Sequence, residues 1–224
     1  MTCSPAMSIR QLYLVTYNGA MLLQWGLVGA RILRHLSAGG APTGIFPIVR
    51  DSVKRLLLLS CLEIAHAASG IVRAPVGPTL VQCLVRLASF VGAMNLGSPA
   101  VERSVWCAQT LCAWTVSEVV RYAFYARSIL PGGAPRWLTW LRYSAFIALY
   151  PIGIAGEMGC FATVREHVRA QGILTVRMPN KWNMAFDYAS VITALLVLAY
   201  PPGAFKLYTY MLAQRSKVLG KLHK

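Results

Sequence analysis

An all-α membrane protein, a bundle of six transmembrane helices, is the fold class this sequence predicts, and three observations predict it. Of 224 residues, 56% are hydrophobic and only 13% charged, which is too apolar for a soluble domain of this size. The apolar residues gather into six stretches, each near the length that crosses about 30 Å of hydrocarbon. Short turn-forming loops punctuate those stretches, and no internal repeat divides the chain. The expectation is a single polytopic domain over residues 1–224.

The first helix is expected over 12–33, closed by Ala38-Gly39-Gly40-Ala41-Pro42. The second, 55–72, ends before Pro75-Val76-Gly77-Pro78, and the third follows over 79–97. The fourth, 105–126, stops before Pro131-Gly132-Gly133-Ala134-Pro135. The fifth and sixth cover 138–163 and 186–211, and Pro151, Pro201 and Pro202 inside them are expected to kink the chain. The opening MTCSPAMSIR lacks the charged start, short apolar core and small-residue cleavage site of a secretory signal. Targeting is therefore expected to fall to the first helix.

Twenty-two Lys and Arg against seven Asp and Glu give a net charge of +15. On a membrane protein such an excess fixes topology, attracts anionic headgroups or binds a polyanionic substrate. Charge alone does not separate these uses, and nothing in the chain calls for nucleic acid. Orientation stays open too, because the first loop (Arg34, Arg50, Lys54), the fifth (Arg165, Arg169, Arg177, Lys181) and the tail (Arg215, Lys217, Lys221, Lys224) are all basic. The six cysteines, at 3, 61, 83, 107, 112 and 160, show no paired spacing and read as small apolar residues. Histidines at 35, 66, 167 and 223 are scattered, so neither a metal nor a cofactor is expected.

The informative residues are polar ones inside apolar spans, where they are costly and mark function by default. Glu63 and His66 lie on the second span, Gln82 and Arg86 on the third, Glu118 and Arg121 on the fourth, and Arg142, Tyr150 and Glu157 on the fifth. The first three pairs are three or four residues apart and share a helix face. One reading is helix-to-helix adhesion; the other is a water-filled cavity lined by acid, base and cation. Tyr150 and Glu157 are seven residues apart, which puts them on one face about 10 Å apart along the axis, with room for a long substrate between them. A buried carboxylate and a phenol form a plausible base and acid. A transport path remains the alternative, although the halves show no inverted symmetry.

One motif misleads. His66-Ala67-Ala68-Ser69-Gly70-Ile71-Val72-Arg73 has the spacing of a tyrosine-phosphatase phosphate loop. Ala67 stands where the nucleophilic cysteine is required, so no phosphoenzyme can form.

Leu149-Tyr150-Pro151-Ile152-Gly153-Ile154-Ala155-Gly156-Glu157, preceded by Trp140-Leu141-Arg142-Tyr143, resembles the very-long-chain 3-hydroxyacyl-CoA dehydratase family, also called protein-tyrosine-phosphatase-like proteins. The likeness continues in order along the chain. It takes in Leu62-Glu63-Ile64-Ala65-His66, Val81-Gln82 with Arg86, Ala113-Trp114-Thr115-Val116-Ser117-Glu118 with Arg121-Tyr122-Ala123-Phe124-Tyr125, and Arg177-Met178-Pro179-Asn180-Lys181-Trp182-Asn183 with Phe186-Asp187-Tyr188. The family takes its phosphatase-like name from the misleading loop, where a proline usually replaces the arginine; this chain departs with Ala67 for the usual cysteine and with Arg73 nearby.

The resemblance implies a six-helix protein of the endoplasmic reticulum membrane with both ends in the cytosol. It implies the third step of fatty-acid elongation, conversion of (3R)-3-hydroxyacyl-CoA to trans-2-enoyl-CoA and water. It also implies work beside a condensing elongase, a 3-ketoacyl-CoA reductase and an enoyl-CoA reductase, in membrane lipid. Tyr150 and Glu157 match the family's catalytic pair, while Glu63, Gln82, Arg86, Glu118, Arg121, Arg142 and Gly153 match positions that support activity or structure. The chemistry needs a base for the C2 proton, an acid for the C3 hydroxyl and a donor to the thioester carbonyl. Glu157 as base and Tyr150 as acid, with Arg142 or Arg121 at the developing charge, fits that need. So do the reverse assignment and a Glu157-polarised Tyr150 serving both steps. Arg127, Arg136 and the tail from Arg215 to Lys224 are candidates for the anionic coenzyme A end, or are simply solvated. A scaffold of the elongase complex with weak catalysis is the other reading. The final Lys221-Leu222-His223-Lys224 has the wrong offsets for a dilysine retrieval signal.

Overall fold

Helix α1, Ile9–Ser37, buries Leu14, Asn18, Met21, Trp25, Val28 and Ile32, a spacing of three and four that draws one stripe down the helix. Ser8 starts it with a reciprocal capping box with Gln11. The computed structural model describes residues 7–222; Cys3, His223 and Lys224 lie outside the described residues.

The chain continues through α2 (Ile45–Ser60), α3 (Leu62–Ala68), α4 (Val76–Ser89), the short α5 (Pro99–Glu102), α6 (Val105–Ile129), α7 (Arg136–Ser144), α8 (Phe146–Gln171), α9 (Tyr188–Ala194) and α10 (Tyr200–Leu222). Helix α6 lies at the centre, packed against α1 on one side and α8 on the other. The α6–α8 contact is close because of glycine. A Cβ at Gly156 would stand 3.0 Å from the Trp106 carbonyl oxygen and 3.1 Å from the Thr110 backbone nitrogen, atoms that cannot give way.

Several expected boundaries need correction. The second expected span, 55–72, is interrupted at Cys61 between α2 and α3 and stops at Ala68. The fifth is interrupted at Ala145, between α7 and α8, while α8 runs on through Pro151. The sixth begins at Tyr188, because Phe186 and Asp187 pair with Val176 and Thr175 in a two-stranded antiparallel ribbon of β1 (Thr175–Val176) and β2 (Phe186–Asp187). Asp187 then caps α9 through the Ser190 amide. Pro201 and Pro202, which have no N–H to give, are accommodated by a π-helical turn, Leu195–Ala199, just ahead of them. There the Tyr200 N–H reaches back five residues to the Leu195 carbonyl. A second π-helical turn, Phe90–Met94, follows α4 directly.

Three helical stretches, Val76–Met94, Arg136–Gln171 and Tyr188–Gly220, are long and apolar enough to cross a membrane. The distribution of side chains agrees with a lipid surround. Val197, Leu198 and Phe205 point outward, while Glu118, Arg121 and Glu157 are buried. This is an all-α membrane protein.

Side-chain contacts define its two ends. At one end Arg10 of α1 donates to the carbonyls of Gly70 and Ile71, Arg142 of α7 lies over Tyr125 of α6, and Arg215 of α10 donates to Ser144. At the other, Arg31 of α1 meets Ser52 of α2, Arg50 approaches Glu102, and Arg165 of α8 meets Thr193 of α9. The start of α1 and the end of α10 therefore lie at the same end.

Candidate active site

Three helices contribute to a buried ionic network. Arg121 donates to Glu63 twice, at 2.6 and 3.0 Å, and through Nε to Glu118 at 3.0 Å. The Tyr122 hydroxyl also donates to Glu63, and Arg86 pairs with the other oxygen of Glu118. Glu118 and Arg121 sit one turn apart on α6, as their spacing predicts, but each also bonds across to another helix. Two carboxylates and two guanidinium groups cancel. Such compensation is what permits charges at this depth.

Glu157 is buried differently. Its Oε1 accepts from the Trp114 indole at 2.9 Å, and its Oε2 accepts from the Tyr200 hydroxyl at 3.0 Å and from Ser89 at 3.3 Å. Among the described residues no Lys or Arg lies within ion-pairing distance of it. The nearest link to the ionic network is Trp114 itself, whose ring has the Arg86 guanidinium 5.8 Å from its centroid. Tyr200 and Ser89 are site residues that reading the sequence passes over, and Trp114 and Tyr122 enter it only within the family-like motifs, with no role assigned. For Trp114 a signal exists, since Trp114, Glu118 and Arg121 stand at i, i+4 and i+7 on one face of α6. Tyr200 and Ser89 reach Glu157 only through the fold.

Tyr150 stands apart from both groups. It is half-buried in an apolar groove of about 250 Å³ between α8 and α10, lined by Pro151, Ile154, Ala204, Phe205 and Tyr208. Its ring stacks on Tyr208 with centroids 6.0 Å apart. Its hydroxyl bonds to no described residue and is free for a ligand. Glu157 lies beyond that lining, two turns farther along α8. Arg142 has its guanidinium 5.9 Å from the Tyr125 and Tyr143 rings. Gly153 faces Ala113 with ordinary room for a methyl group, so the glycine that the packing requires is Gly156.

Gln82 lines a second, larger cavity of about 560 Å³ together with Glu63, His66 and Arg121. The polar stripes of α3, α4 and α6 do meet around a cavity, as their spacing suggests, but Tyr150 and Glu157 are not in its wall. The structure thus brings together Glu63, Gln82, Arg86, Glu118 and Arg121, joins Glu157 to them through Trp114, and leaves Tyr150, Arg142 and Gly153 outside.

Residues 57–221 match the family model described as protein tyrosine phosphatase-like protein, PTPLA. The chain belongs to the PTPLA family. Among curated relatives, the very-long-chain (3R)-3-hydroxyacyl-CoA dehydratase hpo-8 of Caenorhabditis elegans is 38% identical over 94% of this chain and 95% of its own length. The dehydratase PASTICCINO 2B of Oryza sativa subsp. japonica is 36% identical, with 96% of each chain covered. The human very-long-chain (3R)-3-hydroxyacyl-CoA dehydratase 2 is 32% identical over 92% of this chain and 80% of its own. No solved structure gives a significant match. The PTPLA loop behind the phosphatase-like name is visible here. His66 bonds the Tyr13 hydroxyl at 2.7 Å, Ala67 is buried without a nucleophile, and Gly70, with φ of +72°, turns the chain out of α3.

Proposed function

We propose that this chain dehydrates (3R)-3-hydroxyacyl-CoA to trans-2-enoyl-CoA and water in the third step of fatty-acid elongation. The observation that carries the reading is family membership along nearly the whole chain together with Glu157, a buried carboxylate bonded only to neutral donors. In the mechanism that we favour, Glu157 removes the C2 proton and the C2=C3 double bond forms. The C3–O bond breaks, and the Tyr150 hydroxyl gives its proton to the departing oxygen to make water. Return of the proton from Glu157 to the phenolate resets the pair, and because the two groups stand two turns apart on α8 it has to pass through water. Of the two cations expected to meet the developing enolate charge, Arg142 is the one left without an ion pair, since Arg121 is already clasped by Glu63 and Glu118. Of the remaining expected residues, Glu63, Arg86 and Glu118 hold, with Arg121, the helices that position this pair, Gln82 lines the neighbouring cavity, and Gly153 carries no packing role.

The same reading places one domain of six spans in the endoplasmic reticulum membrane, with cytosolic termini. It sets the chain beside the condensing enzyme and the two reductases of the cycle. Family membership and the common end of α1 and α10 support this arrangement.

Conversion of 3-hydroxyacyl-CoA by detergent-purified protein, beside Tyr150→Phe and Glu157→Gln of verified fold, tests the assignment. Activity in the wild type and loss in both variants is the expected result. A properly folded wild type that dehydrates no chain length would give the role to scaffolding instead.

A further inference from the structure

The 560 Å³ cavity opens at the end of the molecule where α1 starts, and its mouth is formed by the loop that follows α3. Two cations stand there. Arg10 is fixed by hydrogen bonds from Nε to the Ile71 carbonyl, 2.8 Å, and from Nη2 to the Gly70 carbonyl, 3.3 Å, which leaves Nη1 unengaged by any described residue. Arg73 lines the same mouth and bonds to no described residue. Deeper in the wall, Glu63 and Arg121 neutralise one another. The lining therefore carries the uncompensated charge of Arg10 and Arg73.

The whole end shares this character. Asp51, Glu102, Glu166 and Asp187 all belong to the opposite end, beside Ser52, Arg50, Arg165 and the start of α9. Arg127, Arg136 and Arg215 add positive charge at the same end of the molecule, outside the cavity lining. A concave site with two guanidinium forks, neutral hydrogen-bonding walls and no free acid selects a phosphate. At this volume it also takes the arm to which the phosphate is attached.

We propose that this cavity is a phosphate-recognition site in which Arg10 and Arg73 hold the phosphates of an amphiphilic ligand and its uncharged polar arm runs inward past Thr79 toward Gln82 and Tyr17. Arg73, the arginine of the phosphatase-like motif, thereby keeps an anion-binding role in a chain whose loop has no thiol for catalysis. Two ligands carry this chemistry, the coenzyme A end of a thioester and a phospholipid headgroup. The first rests on the dehydratase reading; the second does not.

Binding of free coenzyme A to the full-length protein in neutral phosphatidylcholine nanodiscs is the test. Wild type is compared with Arg73→Ala, Arg73→Lys, Arg10→Ala/Arg73→Ala and Arg136→Ala, all monodisperse. For coenzyme A as occupant, affinity falls roughly tenfold or more in Arg73→Ala, further in the double variant and least in Arg136→Ala, with partial recovery in Arg73→Lys. For a lipid as occupant, coenzyme A binding ignores the substitutions, whereas phosphatidylinositol, whose inositol is an uncharged polar arm, is retained through purification by wild type and lost from the double variant. The proposal is overturned if neither ligand distinguishes wild type from the double variant, or if Arg136→Ala matters as much as Arg73→Ala. Because binding is read without turnover, a wild type that binds coenzyme A through Arg73 but dehydrates nothing sinks the reaction and spares the site. An active enzyme whose coenzyme A and lipid binding both ignore Arg10 and Arg73 does the reverse.

Discussion

Glu118 and Glu157 are both buried, at 1% and 7% exposure, and are held in opposite ways. Glu118 is clasped by two guanidinium groups, one from its own helix and one from α4. Glu157 meets an indole N–H and two hydroxyls, and no cation. Charge compensation makes the first a strut between helices. The second is left with no ion-pair partner, the setting that the proposed acid–base role asks for.

Substitutions can break or sharpen this contrast. Glu157→Gln keeps the shape and the hydrogen-bonding capacity, so dehydratase turnover is expected to fall by roughly 10² to 10⁴ with little change in thermal unfolding. Arg121→Met leaves Glu63 and half of Glu118 uncompensated, and unfolding in detergent should register a loss of about 3–5 kcal/mol. Equal loss of turnover with intact stability in Arg121→Met would erase the distinction between the two carboxylates. Trp114→Phe removes the Trp114 donor to Oε1, and unfolding is expected to register about 1.5–3 kcal/mol for a bond to a charged group, with a drop in turnover beside it. Gly156→Ala pushes α8 off the Trp106 and Thr110 backbone, at about 1–3 kcal/mol of stability. Gly153→Ala, with its Cβ 3.8 Å from that of Ala113, should be nearly silent in the same unfolding assay. Tyr200→Phe is expected to cost about 0.5–1.5 kcal/mol, the least among the variants that remove a contact, because Ser89 still donates to the same oxygen.

Much of this was readable in the residues. Glu118 and Arg121 had to share a face at their spacing, and the polar residues of the second, third and fourth apolar spans had to meet if lipid was to be avoided. Cys83, Cys107 and Cys160 are buried in the way small apolar residues are. What escaped depends on distance in the chain. Ser89 and Tyr200 are 68 and 43 residues from Glu157, and no local periodicity joins them to it. The ribbon escaped for another reason: two residues per strand are too few to show alternation. Nor could spacing separate the groove at Tyr150, which α8 and α10 form, from the cavity at Gln82, which α1, α3, α4 and α6 form, since only the fold decides which helices meet.

Each π-helical turn adjoins a ligand of the same oxygen: Phe90–Met94 begins right after Ser89, and Leu195–Ala199 ends right before Tyr200. A π turn amounts to one residue inserted into an α-helix, and one residue is worth about 100° of rotation. The aim of Tyr200 is thus a matter of phase along its helix as much as of side-chain identity. Deleting a single residue within Leu195–Ala199 would restore regular winding and swing the hydroxyl away from Glu157 with every wild-type side chain of the site still in place.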